Sequence, residues 1–247
     1  GSGIMPSTFR IIRELLDRIE DVTSGEVIVK ECWTDIPPEH IKYAQDTVDV
    51  LGKELIAVYP FLDGVQSVTN DPLQALLNRT WRPQVSYIGI DGVPSLAQAG
   101  NVLRPSTSLA ISIRLPPTVK PDAAAEAVTA ALEQNPPYNA KIVFDCNKRS
   151  QGFFAPKLEP WLQTVVEEAS QGTFGKSCVQ MSDGVSIPFL SMLGASFPKC
   201  QFVVLGLLGP NSNAHSANES LDYNAWEGIT ASLPGILYAH GQQSLKK

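Results

Sequence analysis

The chain has 247 residues, 43% of them hydrophobic and 18% charged, which is the balance of a globular protein with a real core and excludes a disordered chain. A net charge of -6 and the lack of a basic stripe exclude nucleic acid and an anionic membrane surface as the main partner. No apolar run approaches the roughly 20 residues that span a bilayer, and no signal-peptide pattern opens the chain.

The first predicted element is a helix over residues 7–21, capped by Ser7, with Phe9, Ile12, Leu16 and Ile19 at helical spacing. Pro37-Pro38 precedes a second helix over residues 39–56, and Asp71-Pro72 starts a third over residues 73–77. Strand patterns follow at residues 85–90 and 108–115. In the latter Leu109, Ile111, Ile113 and Leu115 share one face, so Arg114 points the other way. An alanine-rich helix over residues 121–134 and a strand over 140–146 complete a helix, strand, strand, helix, strand order, which suits a two-layer α+β domain. The polar stretch NKRSQG marks a boundary, giving units at 1–147 and 148–247. The second alternates helix and strand: helix at 158–169, strand at 178–181, helix at 187–193, the apolar run QFVVLGLLG at 201–209, and a last helix that Pro234 is expected to kink or break.

QFVVLGLLG reads as a continuously buried strand, and the polar loop GPNSNAHSANES after it places His215 at the strand's C-terminal edge, where α/β proteins bind ligands. Neutral imidazole is a good zinc ligand, and Asn213, Asn218 and Glu219 stand near enough in sequence to orient it; the alternative is a solvated surface histidine. Arg114 lies beside the small residues Ala110 and Ser112, as a carboxylate-gripping guanidinium or a surface ion-pair partner. Asn101 follows Gly100 as a substrate contact or a turn residue. In DGVSIP, Gly184 allows close backbone approach, and Ser186 is either a helix N-cap or a group facing an anion. Glu167-Glu168 ends an amphipathic stretch and reads as a solvated helix face. The four cysteines are scattered without a C-x-x-C pair and read as buried free thiols.

NAHSANE followed by LDYNAWEGI resembles the last metal-ligand segment of the M20 family of zinc aminoacylases, dipeptidases and carboxypeptidases. GIMPSTFRIIRELLDRIED, WRPQVSYIGIDG, the stretch from AGNVLRP to SIRLPP, and DGVSIP match the second half of such enzymes in order, nearest to the cytosolic nonspecific dipeptidase and carnosinase branch. The resemblance implies a fold of two parts. One is a ferredoxin-like lid or dimerisation domain, and the other is an incomplete α/β catalytic domain of the zinc-peptidase type. It also implies that His215 binds one of two zincs, and that Arg114, Asn101, Ser186 and Gly184 contact a dipeptide or N-acyl amino acid. No residue of this chain is expected as general base, because the family's His-x-Asp motif and its catalytic Glu-Glu pair are not found here. The chain opens just after the place of the family's His-Ser-Gly segment, so it is expected to be the C-terminal part of a cytoplasmic homodimeric enzyme, inactive without a complementary N-terminal half. Most members have two glycines where this chain has Gly184-Val185, which bears on the shape of the pocket.

Two other readings stand beside this one. A descendant of the family that keeps the lid but not the chemistry is a non-catalytic dimerisation or binding module. A serine hydrolase would use Ser186, His215 and Asp183 or Asp222, although Pro188 stands where a nucleophile elbow needs a small residue.

Overall fold

A computed structural model of the protein describes residues 1–184, 187–209 and 211–244. The chain clusters into two compact units, each assembled from separate stretches. The first comprises Gly1–Pro38, Gln74–Phe154 and Asp183–Ser191, and the second Glu39–Leu73, Ala155–Ser182 and Met192–Lys247. The architecture is mixed and mainly helical, with one two-stranded sheet among the described residues.

The first unit is organised around an apolar core. Helix α1 (Thr8–Leu16) buries Ile11 and Leu15, spaced four apart on one face, and its arginines lie off that face. Ser7 occupies the N-cap position with extended backbone, but its side chain makes no cap hydrogen bond. The helix stops short of the expected residue 21. Beyond Leu16 the chain tightens, with Ile19 N–H donating to the Leu16 carbonyl at 2.9 Å, and Glu20 forms an isolated bridge with Val27. Asp21 Oδ1 accepts from the amides of Thr23 and Ser24 at 3.0 and 2.7 Å, so a side-chain turn replaces the next helical rung.

Helix α5 (Pro121–Glu133) starts at a proline, whose missing N–H has no helical partner at that position. Its buried face, Ala124, Val128 and Leu132, joins Ile11, Leu15, Ile19, Val27, Val29, Cys32 and Val119 in the core. The Arg18 guanidinium donates to the carbonyls of Ala131, Gln134 and Asn135 at 3.2, 2.7 and 2.9 Å, placing a cation on the negative end of α5.

Strands β1 (Gln84–Asp91) and β2 (Ser108–Arg114) pair antiparallel, with Gln84 opposite Arg114 and a register shift between Tyr87 and Gly89. Along β2, Leu109, Ile111 and Ile113 are half-buried, while Ala110, Ser112 and Arg114 are exposed. Residues 140–146, expected as a third strand, run without a strand partner. Ala140, Ile142 and Phe144 still pack on the core at the spacing of a strand, so the side-chain period survives without the ladder.

In the second unit, the expected helix over 39–56 is interrupted. Helix α2 (Pro38–Leu51) gives way at Gly52, whose φ of +54° leaves the right-handed helical region, before the single turn α3 (Glu54–Ala57). Helix α4 (Pro72–Trp81), which belongs to the first unit from Gln74 on, follows, with Asp71 Oδ1 accepting the Leu73 N–H at 2.9 Å as its cap. Helices α6 (Pro160–Phe174) and α8 (Tyr223–Ser244) pack together, and Thr173 meets Ser232 hydroxyl to hydroxyl at 3.0 Å. Pro234 lies inside α8 and does not end it. A proline there removes one rung at a cost of about 3 kcal/mol, which flanking turns packed on a neighbour can offset. Helix α7 (Pro188–Ser196) buries none of its described side chains.

The apolar run at 201–209 is neither a strand nor buried in this chain: Val204 is 61% exposed and Leu208 52%. The same holds for the expected strand at 178–181, which forms no ladder. Strands need hydrogen-bonded neighbours, and the described residues place none beside either segment. Of the cysteines, Cys32 is buried, Cys146 intermediate, and Cys178 and Cys200 exposed, which corrects the expectation of four buried thiols. No helix among the described residues is long and apolar enough to cross a membrane.

Candidate functional site

Arg114 ends β2 on its exposed face, where strand alternation puts it opposite the core-facing Ile113. Its guanidinium donates Nη1 to the main-chain carbonyl of Gly184, bringing together two predicted site residues 70 positions apart. Gly184 has no space for a side chain, because a β-carbon would collide with the main-chain carbonyl of Arg79. Arg79, in the last turn of α4, pairs through Nη2 with Asp183 Oδ1 at 2.9 Å. The sequence reading did not single out Arg79, and its contact with residue 183 has no local signal in the chain.

Asn101 lies away from any regular element. Val102 N–H donates to the Gly100 carbonyl at 2.8 Å, so Asn101 is the exposed corner of a three-residue turn. Ser186 lies outside the described residues, as do Val185 and Pro210.

His215, in the second unit, is exposed, with a φ of 61°. Its loop is closed by main-chain bonds from Ser220 N–H to the Ser212 carbonyl at 2.9 Å and from Asp222 N–H to the Leu207 carbonyl at 3.2 Å. Asp222 Oδ1 then accepts the Ala225 N–H at 2.9 Å, capping α8. Asn211, Asn213 and Asn218 share the left-handed conformation of His215, and Asn and His are among the non-glycine residues that adopt it most readily. The spacing NSNAHSAN was thus a loop-geometry signal that the sequence reading passed over.

The other two histidines lie in helices, His40 half-buried and His240 exposed. His40 meets Tyr43 edge-on at 5.4 Å, and burial pushes its imidazole below the ordinary value against the opposing pull of Glu39. His240 lies 6.1 Å from the Trp161 ring. Among the described residues, no group of three or more His, Cys, Asp or Glu side chains is placed to hold a metal ion. One exposed imidazole is a single donor, and zinc takes at least three protein ligands, so these residues do not by themselves fit a zinc site.

The glutamate pair of α6 has a structural task. Glu167 accepts the amide of Cys178 at 2.8 Å and the Gln171 Nε2 at 3.2 Å. The Cys178 N–H, aided by Ser177 and Gln171, holds its carboxyl below the usual range, the wrong direction for a general base near neutral pH. Glu168 lines an open groove of about 520 Å³ with Tyr238 and Gln242 between α6 and α8, which contains none of the predicted site residues.

No family model matches the chain. It is 26% identical over 188 residues to a cysteinylglycine-S-conjugate dipeptidase of Corynebacterium striatum, a match that covers 73% of this chain and 40% of that protein. Human carnosine dipeptidase 1 superposes with a TM-score of 0.71 at 20% identity, over 96% of this chain and 50% of that one. A di-peptidase of Saccharomyces cerevisiae gives 0.73 at 16% identity, over 98% and 50%. An M20 family metallo-carboxypeptidase of Sulfolobus solfataricus gives 0.66 at 15% identity, over 94% and 52%. The chain therefore spans about half or less of the length of each relative, and the likeness read in its motifs is shown: it resembles the M20 family metallopeptidases, sharing their fold nearly end to end and sequence with a dipeptidase.

Proposed function

We propose that this chain is the lid-bearing and C-terminal part of a zinc-dependent peptidase that hydrolyses dipeptides or N-acyl amino acids. The observation that carries the reading is the agreement of nearly the whole chain with the fold of two dipeptidases. The placement of Arg114 against Gly184 supports it, since an arginine fork at an exposed strand end suits a substrate carboxylate. On this reading, residues 1–147 form a ferredoxin-like lid that also makes a homodimer, and residues 148–247 form part of an α/β catalytic domain in a cytoplasmic enzyme.

His215 supplies one donor to a two-zinc centre whose other ligands, with the general base, come from a complementary segment. Bound zinc, held in part by His215, would supply Lewis-acid polarisation of the scissile carbonyl. Within this chain, Arg114 orients the carboxylate, Asn101 and Ser186 contact the substrate, and Gly184 lets the backbone approach. The isolated chain is inactive on this reading.

A second reading, a non-catalytic dimerisation or binding module, draws on the absence of a ligand cluster among the described residues. One experiment separates the two. The chain joined to or co-expressed with a complementary N-terminal half is assayed for zinc content and dipeptide hydrolysis, with and without His215→Ala. The peptidase reading expects about two zincs per active site, and a loss of at least one zinc and most turnover in the variant. Full zinc and turnover in His215→Ala removes the ligand assignment, and neither zinc nor turnover in the assembled protein favours the module.

A further inference from the structure

The contact between Arg114 and Gly184 is held in place from α4. Arg79 engages Asp183 with its side chain, and its own carbonyl abuts the Cα of Gly184. Two arginines from different elements thus grip consecutive residues, Arg79 at the end of α4 on the Asp183 carboxylate and Arg114 at the end of β2 on the Gly184 carbonyl. The Arg79 and Asp183 side chains are 41% and 50% exposed, and an ion pair so open to water contributes little to stability. Its consequence is geometric. The Gly184 carbonyl takes a donor from one terminal nitrogen of Arg114, which restrains one corner of the guanidinium and leaves the remaining donors for a planar acceptor.

We propose that Arg79 is a positioning residue: through Asp183 it fixes the Gly184 carbonyl, and that carbonyl orients Arg114 for a carboxylate. The proposal rests on reading Arg114 as the carboxylate group's partner. If Arg79 is lost, Asp183 and Gly184 are freed, the Arg114 fork loses its anchor, and preference for a free carboxylate over its amide falls while the core stays intact.

The test uses the full chain and the variants Arg79→Ala, Arg79→Lys, Asp183→Asn and Arg114→Ala. The guanidinium resonances of Arg114, assigned by their loss in Arg114→Ala, are followed for proton exchange, with the Val128 amide in the core as an internal control. Exchange at Arg114 is expected to quicken about threefold or more in Arg79→Ala and Asp183→Asn, to return part of the way in Arg79→Lys, and to leave Val128 unchanged. An N-acetyl amino acid and its amide are then titrated. The acid is expected to weaken about threefold in Arg79→Ala with the amide unaffected, and Arg114→Ala is expected to abolish the difference between them. Identical Arg114 exchange in wild type and Arg79→Ala overturns the proposal alone. If exchange responds but Arg114→Ala, or the wild type itself, shows no preference for the acid, the carboxylate reading of Arg114 falls and takes the positioning role with it.

Discussion

The two units differ in what they do with apolar side chains. The first closes on itself: Ile19 and Cys32 are fully buried, Trp81 is 1% exposed and Val27 2%, and the helix faces and extended segments around them converge on one cluster. The second buries Ala44, Leu162, Thr47, Ser212 and Ser232, while Leu62 is 79% exposed, Leu237 68%, Val204 61% and Phe197 59%. Both units leave large apolar side chains open to water, Leu96 at 96% and Val22 at 85% in the first among them, but most of the buried hydrophobic residues of the first join in one cluster. The contrast teaches that an apolar run states a demand, and that the supply has to come from elsewhere in the fold. On the proposed reading, the complementary segment meets that demand.

The sharpest way to break this contrast is a matched pair of truncations. Ile19→Ala should cost about 2–5 kcal/mol in denaturant unfolding, because a fully buried side chain leaves a cavity. Leu205→Ala, at a residue 47% exposed, should stay within about 0.5 kcal/mol in the same chain. Comparable losses at the two positions would mean that the second unit has a core of its own.

Arg18→Ala comes next in size. It should cost about 1–2 kcal/mol by baring three carbonyls at the end of α5, seen as an earlier urea midpoint with an unchanged slope. Arg18→Lys should recover only part of this, since one ammonium does not reproduce a fork spread over three carbonyls.

A smaller effect sharpens the first unit's boundary with solvent. The Tyr87 hydroxyl donates to the Glu20 carboxylate, and partial desolvation, with Glu20 and Asp17 beside it, pushes the phenol up to about 12 although half of the residue's surface is open. A folded pKa above the unfolded one favours the neutral phenol in the fold. Stability from this contact is therefore fully present below about pH 10 and is lost as pH rises toward about 12. Tyr87→Phe should flatten that part of the stability profile, and an unchanged alkaline slope would dissociate the phenol from the fold.

The elements legible in the sequence are those whose partners are near in chain or generic in kind. The helical character of residues 8–16 and 121–133 and the alternation of β2 could be read because any apolar surface satisfies them, although α1 buries Ile11 and Leu15 rather than the face of Phe9, Ile12 and Leu16 that the spacing suggested. The strands expected at 140–146, 178–181 and 201–209 had the right composition, but a ladder requires a particular neighbour in register, and composition does not say whether one is present. The candidate site divides in the same way. The outward aim of Arg114 followed from strand period, whereas its meeting with Gly184 across 70 residues, and the part of Arg79 in that meeting, are long-range facts with no local trace.

The left-handed backbone at position 215 narrows what evolution or an engineer can place there. On the proposed reading, cysteine or glutamate would keep a metal-binding donor but incur a conformational penalty of about 1–2 kcal/mol, and valine or isoleucine would fare worse. Glycine would relax the loop and remove the imidazole. Histidine and aspartate are the residues that combine a donor group with ease in that conformation, so a search for functional replacements at this site has only one natural alternative to try.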